Sequence, residues 1–204
     1  MILGVDFDNT IVCYDDLFHE IAVERGLVPS SLVARKNDVR DYLRKSGRER
    51  EWTELQGYVY GPRMEEAQPF EGVLEFFSDV VGRGVAVHII SHKTALAAAG
   101  PAYDLHQAAR EWLEQQGFFD PQRIGLARDC VHFGVTRQEK INWIRRVHCT
   151  HFVDDLEETF LEKTFPPEVI QILFGHRRQP PGLPAVVPLE SWAQISKYVF
   201  DDTH

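Results

Sequence analysis

The stretch Ile2-Leu3-Gly4-Val5-Asp6-Phe7-Asp8-Asn9-Thr10 decides how the rest of the chain is read. It opens as a short apolar run and closes on two carboxylates. A run of this kind reads as a strand buried on both faces of a parallel sheet. Side chains two apart on an extended chain point the same way, so Asp6 and Asp8 project together from the strand's C-terminal end. That edge is where ligands of open α/β sheets bind. Two carboxylates side by side there are costly without a cation or a proton between them. A divalent metal answers that need.

Working outward, apolar runs and amphipathic stripes alternate. Val85–Ile90 reads as a second strand ending at Ser91, and Cys130–Phe133 as a short one. His151-Phe152-Val153 is a strand closing on Asp154-Asp155, and Val169–Phe174 is another. Helical spacing places Val73, Phe76, Phe77 and Val80 on one stripe, and Leu105, Ala109, Trp112 and Leu113 on a second. Thr136 and Glu139 have the spacing of a capping box and open a helix carrying Ile141 and Ile144. A Pro-rich loop from Gln179 to Pro188 leads to a last helix with Leu189, Trp192, Ile195 and Val199.

This alternation predicts an α/β fold, a Rossmann-like parallel sheet flanked by helices. Right-handed crossovers bring the strand ends to one edge. Asp6, Asp8, Ser91, Asp154 and Asp155 then converge there. Lys140, in the first turn of its helix, reaches the same edge. Residues 14–69 interrupt the pattern. They are mostly polar, with helical stripes at Leu17, Phe18 and Ile21, at Val39 and Leu43, and at Trp52 and Leu55. We read them as a small helical insert, and 1–13 with 70–204 as the core.

Composition narrows the function. At 204 residues, 44% hydrophobic and 26% charged, the chain has the profile of a soluble globular protein with a core and a small insert. A formal charge of -9 argues against nucleic acid polymers and anionic membranes as partners. It does not exclude a small anionic substrate, because a bound metal inverts the local field. Three cysteines without C-x-x-C spacing fit a reducing compartment. No signal peptide precedes the first strand, and no apolar stretch approaches the ~20 residues that span a bilayer. The expected location is cytoplasmic.

Four carboxylates, a hydroxyl and a lysine at one edge suit phosphoryl transfer. Carboxylates hold Mg²⁺, and metal and lysine together neutralise a transferring phosphoryl group. An Asp can be the nucleophile and a second carboxyl the proton donor and acceptor. His148-Cys149-x-His151 superficially suggests a metal site, but it lacks partners at zinc spacing.

Asp6-Phe7-Asp8-Asn9-Thr10 resembles the first motif of haloacid dehalogenase-like (HAD) hydrolases. Ser91, Lys140 and Asp154-Asp155 resemble the second, third and fourth, in the family's order. The resemblance covers roughly 1–13 and 70–175. It implies Asp6 as nucleophile, Asp8 as general acid and base, and Mg²⁺ held by Asp6, Asp8, Asp154 and Asp155, with Asp155 the direct ligand. It implies Ser91, Thr10, Asn9 and Lys140 around the phosphate. An Asp at position 8 favours a phosphatase over a dehalogenase. Thr159 stands where the family often has a further acid. The insert falls where the family places a C1 cap, which implies a small phosphorylated metabolite as substrate, with Arg63, Tyr60 and Lys36 among the residues that select it.

Phosphomutase and phosphotransferase chemistry use the same apparatus. Two rivals come from other classes. A receiver-like phospho-acceptor module does not need the long insert. A D-x-D glycosyltransferase leaves Ser91, Lys140 and Asp154-Asp155 without roles.

Overall fold

The computed structural model describes residues 1–201. Among the described residues, eight strands and eight α-helices follow one another. The strands are β1 (Ile2–Val5), β2 (Val12–Cys13), β3 (Gln68–Pro69), β4 (Ala86–His92), β5 (Val131–Gly134), β6 (His151–Asp154), β7 (Ile170–Phe174) and β8 (Val187–Leu189). The helices are α1 (Asp15–Glu24), α2 (Lys36–Lys45), α3 (Glu49–Tyr60), α4 (Val73–Gly82), α5 (Leu105–Gln115), α6 (Arg137–Arg146), α7 (Glu157–Phe160) and α8 (Trp192–Asp201).

Six strands form one parallel sheet in the order β5-β4-β1-β6-β7-β8. The strand that opens the chain is therefore central, and Leu3 and Val5 are fully closed to solvent. The order runs outward from β1 in both directions. The topological switch point falls between β1 and β6, and such a point opens a crevice at the strands' carboxyl ends. Gly4 lets the layer above β1 close down. A Cβ there would stand 2.5 Å from the Phe152 ring and 2.7 Å from Cys149 Sγ.

The strands of this sheet are those read from the sequence, with one addition. Val187–Leu189, read as the end of a loop and the start of the last helix, is a short strand pairing with β7. Pro188 cannot donate to a ladder, and it is tolerated because β8 lies at the sheet's edge.

The chain divides into two compact units. One is Met1–Val12, Pro69–His92 and Gly117–His204, which holds the sheet. The other is Cys13–Gln68 and Lys93–Gln116 and is helical. Its core joins Phe18 and Ile21 of α1, Val39 and Leu43 of α2, and Trp52, Leu55 and Val59 of α3, all buried. The helix α5 groups with this unit, and its Trp112 Nε1 donates to the Ala67 carbonyl at 2.9 Å. The chain crosses into the helical unit twice, once shortly after β1 and once directly after β4. No helix of the described residues is long and apolar enough to cross a membrane.

Candidate active site

Asp6 directly follows β1. Its N–H donates to the Val153 carbonyl at 2.9 Å, which carries the pairing with β6 one residue past the strand. The chain then turns sharply. The Phe7 carbonyl accepts from both Ile11 N and Val12 N, and Asn9 takes a left-handed conformation at φ 58°. Asn is one of the few residues that tolerate that region, because its short side chain bonds locally. The turn leaves Thr10 fully buried, with its hydroxyl 3.4 Å from Asp155 Oδ1.

Asp154 is the last residue of β6 and is closed to solvent. Its Oδ1 accepts from Leu156 N at 3.0 Å and its Oδ2 from Lys140 Nζ at 2.6 Å. Lys140 also donates to Asp6 Oδ1 at 2.7 Å. The helix that carries it is capped as the Thr136/Glu139 spacing implies. Thr136 Oγ1 accepts from Glu139 N at 3.1 Å, and the Glu139 carboxylate accepts from Val135 N at 2.8 Å. The cap fixes where α6 starts, and with it the turn from which Lys140 reaches in.

Asp6, Asp154 and Asp155 each offer an oxygen, and these atoms lie within 4.8 Å of one another. Three carboxylates so close together are a donor set of the kind Mg²⁺ takes. Burial first, then the charges of Asp154 and Asp8, raise the Asp6 carboxyl to about 6, although Lys140 pulls the other way. Burial works against the Lys140 ammonium, but Asp154 and Asp6 outweigh it and hold it protonated.

Asp6, Lys140 and Asp154 thus form one hydrogen-bonded group, and Thr10 with Asp155 forms a pair beside it. Ser91 is buried near the end of β4, the strand beside β1. Asp8 is half-buried in the turn, close enough to Asp6 to raise it. Thr159 is buried on α7.

Of the residues expected to select substrate, Arg63 is already engaged in the helical unit. Its guanidinium bonds Glu66 and Glu24 and lies over Tyr58. Lys36 and Tyr60 do come together, with Lys36 Nζ 5.5 Å from the Tyr60 ring centroid. A residue passed over in the sequence joins them. Lys93 is 3% exposed, and its Nζ lies 4.7 Å from the same centroid. The available signal was its position two residues after Ser91.

No protein-family model and no curated protein sequence matches this chain. Solved structures do match. A HAD family hydrolase from Deinococcus radiodurans R1, with bound phosphate and sodium, is similar at a TM-score of 0.62 and 14% identity, over 98% of this chain and 95% of that chain. A HAD-superfamily hydrolase of subfamily IA from Geobacter sulfurreducens PCA gives 0.58 at 12% identity, over 97% and 95%. One from Ehrlichia chaffeensis gives 0.56 at 10% identity, over 97% and 95%. The fold is that of the haloacid dehalogenase-like hydrolases.

Proposed function

We propose that this chain is a Mg²⁺-dependent phosphatase that hydrolyses a small phosphomonoester through an aspartyl-phosphate on Asp6. The observation that carries the reading is the Asp6 carboxylate. It stands at the sheet's switch point, closed to solvent, with one oxygen on the Lys140 ammonium and two further carboxylates beside it. The Deinococcus radiodurans structure, which holds phosphate and sodium on the same fold, supports it.

In this reading an Asp6 oxygen attacks phosphorus. The Asp–phosphorus bond forms as the ester oxygen leaves, and Asp8 protonates that oxygen. Water then attacks phosphorus and gives its proton to Asp8, which frees Asp6 and inorganic phosphate. Lys140 fixes one Asp6 oxygen and offsets charge as the phosphoryl group arrives. Ser91 and the 8–10 turn bond the phosphoryl oxygens. Asp6, Asp154 and Asp155, with Asp8, would hold Mg²⁺, which supplies neutralising charge when bound. The helical unit acts as the cap that selects the leaving group. Both of its chain segments begin just beyond a strand end that carries a site residue.

The test is a panel of phosphate esters, including a generic aryl phosphate, assayed with Mg²⁺ and with EDTA. Metal-dependent phosphate release from at least one ester is expected. Release from none, or release unchanged by EDTA, overturns the reading. Transfer to a sugar hydroxyl rather than to water would move the chain to the phosphotransferases.

A further inference from the structure

We propose that Trp192, on the C-terminal helix, is a positioning residue for the loop that carries Asp6 and Asp8. The proposal rests on the phosphatase reading above. It concerns a part of the chain that bears none of the motifs.

The observation is one long-range bond. Trp192 Nε1 donates to the Thr10 carbonyl at 3.1 Å, across 182 residues of sequence. Both groups are buried, Trp192 at 1% exposed and Thr10 at 0%. A buried carbonyl needs a donor, and two other carbonyls of this sharp turn take theirs from backbone N–H groups. Phe7 O takes Ile11 N and Val12 N, and Ile11 O takes Phe70 N at 2.9 Å. Thr10 O takes the indole. The other end of Thr10 faces the chemistry, since its hydroxyl reaches Asp155 Oδ1. The indole therefore fixes the backbone of a residue whose side chain touches the acidic cluster.

Packing makes the indole a rigid anchor. Its ring centroid lies 4.9 Å from Phe76, 5.6 Å from Phe174 and 6.2 Å from Phe77. These come from α4 and β7. The C-terminal helix is thus held by the sheet's own layers while it holds the catalytic turn. A side chain that only filled space would not need an N–H aimed at this carbonyl.

Two variants separate positioning from packing. Trp192→Phe keeps an aromatic ring and loses the donor. Phe118→Leu loosens the same core on the far side of Phe77, where Phe118 packs at 5.0 Å, and leaves the indole's ring contacts and its donor in place. Loss of one buried bond that acts on the transition state predicts a kcat lower by ~10-fold or more in Trp192→Phe, with KM nearly unchanged. Phe118→Leu should lower the melting temperature and keep kcat. Equal kcat losses in the two variants, or full kcat in Trp192→Phe, overturn the proposal. A second readout needs neither variant to fold well. In the ¹H–¹⁵N spectrum of the wild-type protein, the Trp192 indole proton should exchange slowly with solvent. It should also shift when Mg²⁺ and beryllofluoride, a phosphoryl mimic, are added. A freely exchanging or unresponsive indole also overturns it. If wild-type protein releases phosphate from no ester, the phosphatase reading fails on its own, and the indole response to Mg²⁺ alone decides whether Trp192 senses the acidic cluster.

Discussion

The Lys140 ammonium lies 2.7 Å from Asp6 Oδ1, and both side chains are almost closed to solvent, at 2% and 5%. A second bond, 2.6 Å to Asp154 Oδ2, makes Lys140 the bridge between the ends of β1 and β6. Removing one partner of a buried ion pair leaves the other charge stranded, at a cost of about 3–5 kcal/mol. Lys140→Met is expected to lose stability on that scale in urea unfolding. It is also expected to lower kcat by about 100-fold or more, as removal of a preorganised cation does. The surviving Asp6 should titrate higher still, so the acid limb of the pH–rate profile should move upward. A Lys140→Met enzyme with wild-type kcat would remove the lysine from the site.

Asp6 makes stability and activity depend on pH in opposite directions. Burial, reinforced by Asp154 and Asp8 and opposed by Lys140, raises it from 3.8 to about 6. The folded state therefore favours the protonated form. That contribution is complete below the unfolded value and is lost as pH rises through about 6. Above that range the ionised carboxylate costs roughly 3 kcal/mol relative to an unshifted group. Asn cannot ionise. Asp6→Asn should therefore abolish phosphate release, yet raise the denaturation midpoint in EDTA at pH 8, with the gain gone by pH 4. Mg²⁺ should narrow the difference, because a cation favours the ionised wild-type form. An Asp6→Asn protein less stable than wild type at pH 8 in EDTA would contradict the assigned environment.

The parallel sheet was legible because β1, β4, β6 and β7 are continuous apolar runs, and such runs suit strands buried on both faces. Asp6, Lys140 and Asp154 were legible because position on a strand end or a first helical turn fixes direction. The β8 strand was hidden by Pro188 and the loop residues before it. Trp192 read only as part of a helical stripe, since its bond to the Thr10 carbonyl depends on how α8 packs. The substrate-selecting residues were the least legible. A charged side chain on a polar helix looks the same in sequence whether it meets a ligand or a neighbouring carboxylate.

Arg63 is an instance of the second case. Arg63 bonds Glu66 through two nitrogens and Glu24 through a third at 3.0 Å. Its charge is met within the helical unit. Arg63→Ala should cost stability, on the order of 1 kcal/mol, and leave KM within about threefold. Lys93 is buried two residues beyond Ser91, and we expect its charge to bear on the bound substrate. Lys93→Met should raise KM about tenfold or more, the scale of one bond to a charged group. Steady-state kinetics with the best ester from the panel, paired with thermal melts, checks both. The reverse pattern would reassign the two residues.

Gly134 ends β5 just before α6, and the start of that helix rests on it. A Cβ at this position would stand 2.8 Å from Lys140 N, 2.9 Å from Glu139 Cβ and 3.1 Å from the Glu139 carbonyl carbon. Two of these are backbone atoms, which cannot swing aside as the tip of a side chain can. The helix start is fixed from the other side by Thr136 and by the Glu139 bond to Val135 N. Gly134→Ala must therefore push the first turn of α6 outward, and Lys140 with it. A misplacement of about 1 Å at a catalytic group can cost about 100-fold. The variant should lose kcat on that scale, and its acid limb should rise as Lys140 draws away from Asp6. Gly82→Ala is the control. It lies in α4, where an added Cβ meets nothing within 4 Å, and Ala in place of Gly at a compatible site is stabilising. It should keep kcat and melt no lower than wild type. Full activity in Gly134→Ala would mean that Lys140 reaches Asp6 from more than one placement of α6. The tight seat of that helix on β5 would then not be what sets the site.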